Sequence, residues 1–341
     1  MGRTIIQLVG SPVDEFHAEL SRLYAGASAA ALAERHSVAF AYVAPGGTWQ
    51  FPDALDAHSL AAAEPLSAAA GIAALAGMRA DVVLPQMFCH PGMTSYRALL
   101  DLLGLRYLGN TPEVMANTED KAVARALVAA HGVAVPAGRV VTHPVTHPDE
   151  VDLPLPVVVK PARSDNSMGV SLVTDRAELG EAVGRARSHS ADVLVETFVP
   201  LGREVRCGVL EVDGRLVCLP LEEYALDAPI RLPADKLGRT GGGDLRLVAG
   251  DAGRAWIVQR DDPAVAAVWR AAQACFRALG CRHYGLFDFR IDPDGVPWFL
   301  EAGPYCSFAP SSVIVKMAAA QGLPLTDLFD TLCREARIEA A

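Results

Sequence analysis

Short apolar runs alternate with Ala-rich polar segments along this chain. TIIQLVG at 4–10 reads as a first strand, and an Ala-rich helix over about 16–34 follows it. VAFAYVA at 38–44 reads as a second strand, closed by Pro45-Gly46-Gly47. A further Ala-rich helical stretch leads to DVVLPQMF at 81–88, and RALLDLLGL at 97–105 is an amphipathic helix with Gly104 near its end. Strand and helix alternate at spacings that predict a small parallel sheet, in a domain ending near residue 110.

In NTEDKAVARALVAAHG, Thr118 is the expected N-cap and Glu119 and Asp120 fall in the first turn. Val123, Ala126, Leu127 and Ala130 form the expected apolar stripe, with Gly132 just past the end. THPVTHPDEVDLPLP at 142–156 reads as a loop. Its two T-H-P triplets suit either a metal or, with no Cys or acid cluster to complete a site, a solvated loop. VVVK, a polar loop and VSLV predict a hairpin, followed by a helix (175–188) and the strand DVLVETFV. REVRCGVLEVDGRLVCLPLEEY is a hairpin turning at Asp213-Gly214. A loop over 225–260 carries Lys236 and RTGGGD, and a helix (263–279) precedes the strands HYGLFDFRI and VPWFLEAG.

Those last two strands carry the first candidate chemistry. In the simplest register, Ile291 opposes Val296 and Asp288 opposes Phe299. Leu286, Asp288 and Arg290 then share a face with Pro297, Phe299 and Glu301. Two carboxylates among apolar neighbours either share a cation, for which Mg²⁺ is suited, or pair with arginines at a solvated edge. The matching feature is VVVKPARSDNSMGV. Lys160 at a strand end is a point charge that reaches a phosphate, and the small polar loop behind it can turn its N–H groups onto an anion. The spacing is not that of a Walker A loop, so ATP is suggested by the combination of lysine, loop and acids.

Composition narrows the class. Hydrophobic residues make up 51 % of the 341 and charged ones 21 %, as in a globular chain long enough for two or three cores. A net charge of −10 argues against a general binder of nucleic acid or anionic membrane. No apolar run reaches the roughly 20 residues of a membrane span, and MGRTIIQLVG lacks a signal peptide's apolar region. The seven cysteines are scattered without a C-x-x-C pair, which fits reduced thiols and a cytoplasmic setting. Cys306 reads as a nucleophile or as a small apolar filler, and His90 as a substrate contact or a loop histidine with its hydrogen bonds met.

The order of Lys121, VVVKP-loop-MGVSLV, VLVETFVPLGREV, DFRIDPDGVPWFLEAG and SSVIVKMAAAQGL resembles the ATP-grasp superfamily. Within it the chain is most similar to D-alanine–D-alanine ligases, over roughly residues 80–335. The resemblance implies an α/β (α+β) fold of three domains: 1–110, an N-terminal α/β substrate domain; 111–200, a central unit with a mobile phosphate loop; and 201–341, a unit with the Mg²⁺ site and an acceptor-binding segment. It implies that Lys121 and Lys160 hold ATP phosphates, Lys160 also acting in catalysis. The loop of Ser164, Asn166, Ser167, Met168 and Gly169 would close over them. Glu196, Phe198 and Val199 would read the adenine, Glu204 the ribose, and Lys236 would be a third, catalytic phosphate lysine. Asp288 and Glu301 would bind Mg²⁺, Ser312 with Ser311 beside it would hold the second substrate's carboxylate, and Glu15, His90 and Tyr305 would border the substrates.

The sequence departs from that family at informative places. The family's Glu-x-Asn metal pair reads Glu301-Ala302-Gly303, and its arginine two residues before the first metal acid is Leu286. Its glycine-rich acidic loop is Gln86–Gly92, and SPVDEFHAEL keeps Asp14, Glu15 and His17 without the family pattern. PYCSFAPSS brings Tyr305, Cys306 and Phe308 to the acceptor side, suggesting a larger or less polar acceptor. The expected activity is an ATP-dependent carboxylate–amine ligase working through an acyl phosphate, on substrates other than a D-alanine pair and in specialised metabolism. Two alternatives stand beside it: a hydroxyl, carrier-thiol or internal acceptor, or an ATP-binding protein without catalysis. ATP and Mg²⁺ are the expected cofactors, small acids and amines the partners, and a homodimer the expected assembly.

Overall fold

The structure is a computed structural model that describes residues 2–145, 150–164, 167–226, 228–230, 237–239, 245–247 and 254–337. Strands β1 (Thr4–Gly10), β2 (Ser37–Val43), β3 (Trp49–Gln50) and β4 (Val82–Pro85) form a sheet in the order β3-β2-β1-β4. β1 runs parallel to both β2 and β4, as the alternating pattern predicts. It lies between them and is covered on both faces, which is why Ile5 to Gly10 are all buried. β3 is antiparallel to β2 and too short to announce itself by periodicity. The helix Glu15–Leu32 starts at Asp14, whose side chain accepts from the His17 N–H at 2.8 Å.

Further on, two readings of NTEDKAVARALVAAHG need correction. Thr118 is no N-cap; it lies inside the helix Pro112–Glu119. Asp120 is the cap, accepting from Ala122 and Val123 N–H at 3.0 and 3.2 Å, and the helix runs Lys121–Ala130. Its buried face is Ala124 and Val128, while Val123 is exposed. Nearly every position of KAVARALVAA is apolar, so periodicity selects no face. The small Ala124 fits the close approach of this helix to its neighbours, with Val128 one turn on.

β5 (Gly138–Val141), β6 (Val157–Pro161), β7 (Ser171–Val173) and β8 (Val193–Thr197) form an antiparallel sheet in the order β5-β8-β6-β7. Val157, Val159, Val193 and Val195 pack under the helix Leu179–Arg187. Alternation therefore turns Val158, Lys160 and Glu196 to the opposite face.

The third sheet is built from β9 (Arg203–Val212), β10 (Arg215–Cys218) and β11 (Glu222–Tyr224), with β12 (Leu237–Arg239) and β13 (Leu245–Leu247) pairing apart. β14 (Ala255–Ile257), β15 (Tyr284–Ile291) and β16 (Pro297–Ala302) complete it in the order β14-β11-β9-β15-β16, with β10 on β9. Asp213 and Gly214 take φ of +51° and +66°, the two positive values a two-residue hairpin turn needs. Val205, Cys207, Phe287, Phe289 and Phe299 pack on the helix Val265–Ala278. The other face changes character along its strands. Leu210, Tyr284 and Leu286 lie against the helices Val313–Ala320 and Leu325–Glu335, whereas Glu204, Arg206, Asp288 and Arg290 form a charged half.

The simplest register for β15 and β16 is also corrected. Ile291 opposes Pro297, one residue later than Val296, and a bulge between Asp288 and Phe289 shifts the pairing once more. The first shift alone would turn Glu301 to the far face. The bulge brings it back, directly opposite Asp288 and not diagonal to it.

Asn110 ties the first sheet's unit to the third. Its Nδ2 donates to the Tyr284 and Pro304 carbonyls, each at 2.8 Å, and its Oδ1 accepts from the Arg282 N–H at 2.8 Å. All seven cysteines are free and buried. Among the described residues no helix is long and apolar enough to cross a membrane.

Candidate active site in the cleft between two antiparallel sheets

The open face of the second sheet and the charged half of the third enclose a cleft with about 860 Å³ of empty space. Lys121, Lys160, Ser164, Ser167, Met168, Glu196, Val199, Glu204, Asp288 and Glu301 line it, so most of the expected nucleotide and metal residues converge there. Asn166 and Lys236 lie outside the described residues.

The charges in the cleft are compensated within the chain. Lys160 Nζ is 2.5 Å from Glu196 Oε2, and Arg125 Nε donates to Glu196 Oε1 at 3.0 Å. Glu196 is buried between two cations, each on a different oxygen, the pairing a buried carboxylate needs. Lys121 Nζ donates to the Ser164 carbonyl and stands 3.9 Å from Glu301 Oε2. The base of the polar loop is fastened to the same helix start. Lys121 N–H donates to the Ala162 carbonyl at 2.9 Å, and Arg163 Nε donates to Asp120 Oδ2 at 3.1 Å. The loop ends at Gly169, with φ +71°. A Cβ there would stand 2.7 Å from the His189 ring and 2.9 Å from Pro161, so only glycine fits.

Arg290 is a site residue that motif matching passed over, although it shares a face with Asp288. It is buried and donates to Glu204 through Nε at 2.8 Å and through Nη2, and to the Val199 and Pro229 carbonyls at 3.1 and 2.9 Å. Its Cζ stands 5.3 Å from the Phe198 ring centre. Phe198 thus braces Arg290 while its neighbour Val199 lines the cleft. Arg125, on the helix, and Tyr224, on β11, carried no recognisable spacing and enter the site only through the fold.

Asp288 and Glu301 face each other across one strand pair and offer hard oxygen ligands suited to Mg²⁺. No group of three or more His, Cys, Asp or Glu that could hold a metal occurs among the described residues. Gly303 adds no ligand, and the Tyr305 ring lies 3.6 Å from where its Cβ would be. Two carboxylates, with water and phosphate oxygens completing the shell, still match what Mg²⁺ typically takes from a protein.

The substrate-side expectations fare unevenly. Glu15 points outward and is taken up by Arg22 at 2.7 Å, so it does not line the cleft. His90 is exposed at the start of the helix His90–Met93, not in a loop, and its ring pairs with Glu119. The His143 ring lies 3.1 Å from Glu150 on the surface, as in a solvated loop. Ser312 caps the helix Val313–Ala320 by position, with its Oγ 3.5 Å from Cys306 Sγ, while Ser311 is exposed; neither lines the cleft. Cys306 is buried, and burial pushes its thiol up to about 11 against the pull of the Ser312 hydroxyl, which removes it as a nucleophile. Tyr305 meets Phe88 at 5.8 Å and Phe88 meets Tyr24 at 5.3 Å, all edge to face. These rings form an aromatic wall where the first unit approaches the third sheet.

The comparisons agree with this geometry. The family model described as D-ala D-ala ligase C-terminus matches residues 129–237. A D-alanine–D-alanine ligase of Anaeromyxobacter dehalogenans is 34 % identical over 249 residues, covering 72 % of this chain and 76 % of that protein. One from Corynebacterium urealyticum is 32 % identical over 338 residues, covering 89 % and 90 %. A putative D-alanine–D-lactate ligase of Streptomyces coelicolor is 33 % identical over 257 residues, covering 74 % and 71 %. Among solved structures, the VanG D-Ala:D-Ser ligase from Enterococcus faecalis superposes with a TM-score of 0.79 at 21 % identity, covering 98 % of this chain and 100 % of that one. The Bacillus anthracis D-alanine–D-alanine ligase complexed with ATP gives 0.73 at 18 %, covering 98 % of each. At those identities the solved structures establish the ATP-grasp fold.

Proposed function

This chain belongs to the D-alanine–D-alanine ligase family of ATP-dependent carbon–nitrogen ligases, and from that we propose that it activates a small carboxylic acid as an acyl phosphate and passes the acyl group to an amine. The observation that carries this reading is the single cleft in which two lysines, a loop and two facing carboxylates converge from three separate stretches of sequence.

The chain's own residues divide the work. Lys121 and Lys160 are compact charges for phosphate oxygens, and both reach the cleft from rigid positions, a helix start and a strand. Glu196 accepts from an adenine amino group, and Val199 supplies an apolar contact beside it. Glu204, held by Arg290, offers an oxygen to a ribose hydroxyl. The loop that ends at Gly169 excludes water from the acyl phosphate. Mg²⁺ bound by Asp288 and Glu301 would supply charge neutralisation at the phosphates. A carboxylate oxygen of the acid attacks the γ-phosphorus and the bond to ADP breaks. The amine nitrogen then attacks the acyl carbon, phosphate leaves with the C–O electron pair, and the amine proton goes with it.

The acceptor side supports a substrate less polar or larger than D-alanine. Tyr305 and Phe88 wall it, and the Tyr305 ring covers the position that is asparagine in Glu-x-Asn. The test is phosphate release from ATP and Mg²⁺ over a panel of amino and hydroxy acids that includes D-alanine, with hydroxylamine as general acceptor. Release with hydroxamate formation is expected and identifies the acid; a second panel of amines and alcohols then identifies the acceptor. ATP binding without release for any acid would sink the ligase reading and favour a binding-only protein.

A further inference from the structure

One cation beside the facing carboxylates has no part in the function above. Arg206 on β9 is paired in register with Asp288 on β15 and with Glu222 on β11. With Glu301 opposite Asp288, one row across the sheet reads Glu222, Arg206, Asp288, Glu301. Residues in register share a face, so all four side chains leave the sheet on the cleft side.

The guanidinium is held in place yet has donors to spare. Nη1 is 3.7 Å from Glu222 and Nε is 3.7 Å from Asp288, within ion-pair range and beyond hydrogen-bond length. Cζ stands 5.0 Å from the Tyr224 ring centre. Nε is shielded from solvent and has no hydrogen-bond partner among the described residues. Burial opposes the charge, but Asp288, Tyr224 and Glu222 more than offset it and keep the group cationic. A desolvated donor left unmatched is costly, so a fork with unmatched donors is a site for an added acceptor.

Its location says which acceptor. Asp288 and Tyr224, on either side of it, line the cleft. Burial pushes up the hydroxyl of Tyr24, on the helix Glu15–Leu32, and the Arg206 charge partly offsets that, so the guanidinium's field reaches the first unit. Arg206 therefore stands beside the cleft-lining carboxylates on the side toward the first unit, within reach of a carboxyl group seated next to the phosphates. One step along β15, Leu286 is packed into the apolar cluster of Cys306 and Met317 and brings no charge.

We propose that Arg206 is a further catalytic residue, donating to the acyl oxygen that gains charge when the amine attacks. In that step the amine lone pair forms the C–N bond and the C=O π pair moves onto oxygen, where the guanidinium meets it. The pair then re-forms C=O as the C–O bond to phosphate breaks, and phosphate leaves with the amine proton. The assignment rests on the ligase reading.

Arg206→Gln is expected to lower kcat about 10²–10³-fold, the usual effect of removing one oxyanion donor, with KM for ATP within about threefold of the parent. Arg206→Lys is expected to fall between the two, and guanidinium chloride at tens of millimolar to restore part of the rate of Arg206→Ala. A kcat within about threefold of the parent in Arg206→Gln, or a loss fully reversed by raising Mg²⁺, would overturn the proposal; the second outcome would mean that Arg206 only orients Asp288. If melting shows Arg206→Gln unfolded, Arg206→Lys decides, because a parent-like rate in it overturns the role of the fork. If the parent itself turns over no acid, the ligase reading has failed on its own. Calorimetry with acetyl phosphate in the presence of ADP and Mg²⁺ then reads the acyl-oxygen site directly: a tenfold weaker affinity in Arg206→Gln supports it, and equal affinity, or no binding to the parent, overturns it.

Discussion

Lys160 shows how much of this site is decided by one side chain and its two neighbours. Its ammonium, Glu196 and Arg125 form a buried chain of charges in which each cation approaches a different oxygen of the same carboxylate. Removing Lys160 takes away a cation proposed for the phosphates and leaves Glu196 with Arg125 alone. Lys160→Ala is expected to cut turnover by about 10²–10³-fold and to weaken ATP binding; a parent-like rate would sink the site assignment. Gly303 is the opposite case, where a missing side chain matters. A Cβ there would fit in ordinary contact with the Tyr305 ring at 3.6 Å, so a longer side chain has to pass that ring to reach the metal acids. Gly303→Asn alone is therefore expected to leave the Mg²⁺ activation constant nearly unchanged, and Gly303→Asn with Tyr305→Ala to lower it. Tightening in the single variant would show that the ring yields.

Two elements determine where the chemistry sits. The bulge in the β15–β16 pair returns Glu301 to the face of Asp288 after the longer turn has displaced it. Without it the two acids would project on opposite sides of the sheet. The second element is the start of the helix Lys121–Ala130. Asp120 caps it through one oxygen and holds Arg163 of the polar loop through the other, so helix and loop share an anchor. Asp120→Ala is expected to cost about 1–2 kcal/mol of stability for the lost cap and to raise KM for ATP, because Lys121 is the next residue. Thermal unfolding and ATP saturation curves check the two effects, and loss of stability with KM unchanged would mean that the loop keeps its place without Asp120.

At the scale of the molecule, contacts remote in sequence bind the first sheet's unit to the third. Arg3 pairs with Asp330, Arg35 reaches Asp327 at 2.5 Å, and Asn110 spends its amide on three backbone groups across the junction. His283 belongs to the same seam, its Nδ1 accepting from the Gly109 N–H at 3.0 Å. Burial, aided by the charges of Arg282 and Arg97, brings its pKa down to about 4. A histidine ordinarily titrates near 6.5, so below that pH the unfolded chain takes up the proton before the folded one does. The stability it contributes is complete above about pH 6.5 and falls by about 3 kcal/mol as the pH drops to about 4. Denaturant unfolding across that window is expected to show the slope, and His283→Asn to flatten it. An equal slope in the variant would assign the acid lability elsewhere.

What could be read along the chain was whatever a local pattern carries. The apolar run VVVK put Lys160 at a strand end before a polar loop, and parallel packing of β1 followed from the spacing of apolar runs. The Asp213-Gly214 turn follows from two residues that tolerate positive φ. What failed is non-local. The helix face at Ala124 and Val128 depends on the size of the space across from it, since apolarity alone did not distinguish the positions. The register of Asp288 against Glu301 depends on a bulge that no residue type announces. Glu15 lies near the family's substrate region in sequence, but Arg22 holds it on the surface. Arg206, Arg290 and Arg125 enter the site because two strands and a helix bring each of them to a different acid of the cleft wall. Periodicity records which way a side chain points, and only the tertiary structure decides what it meets there.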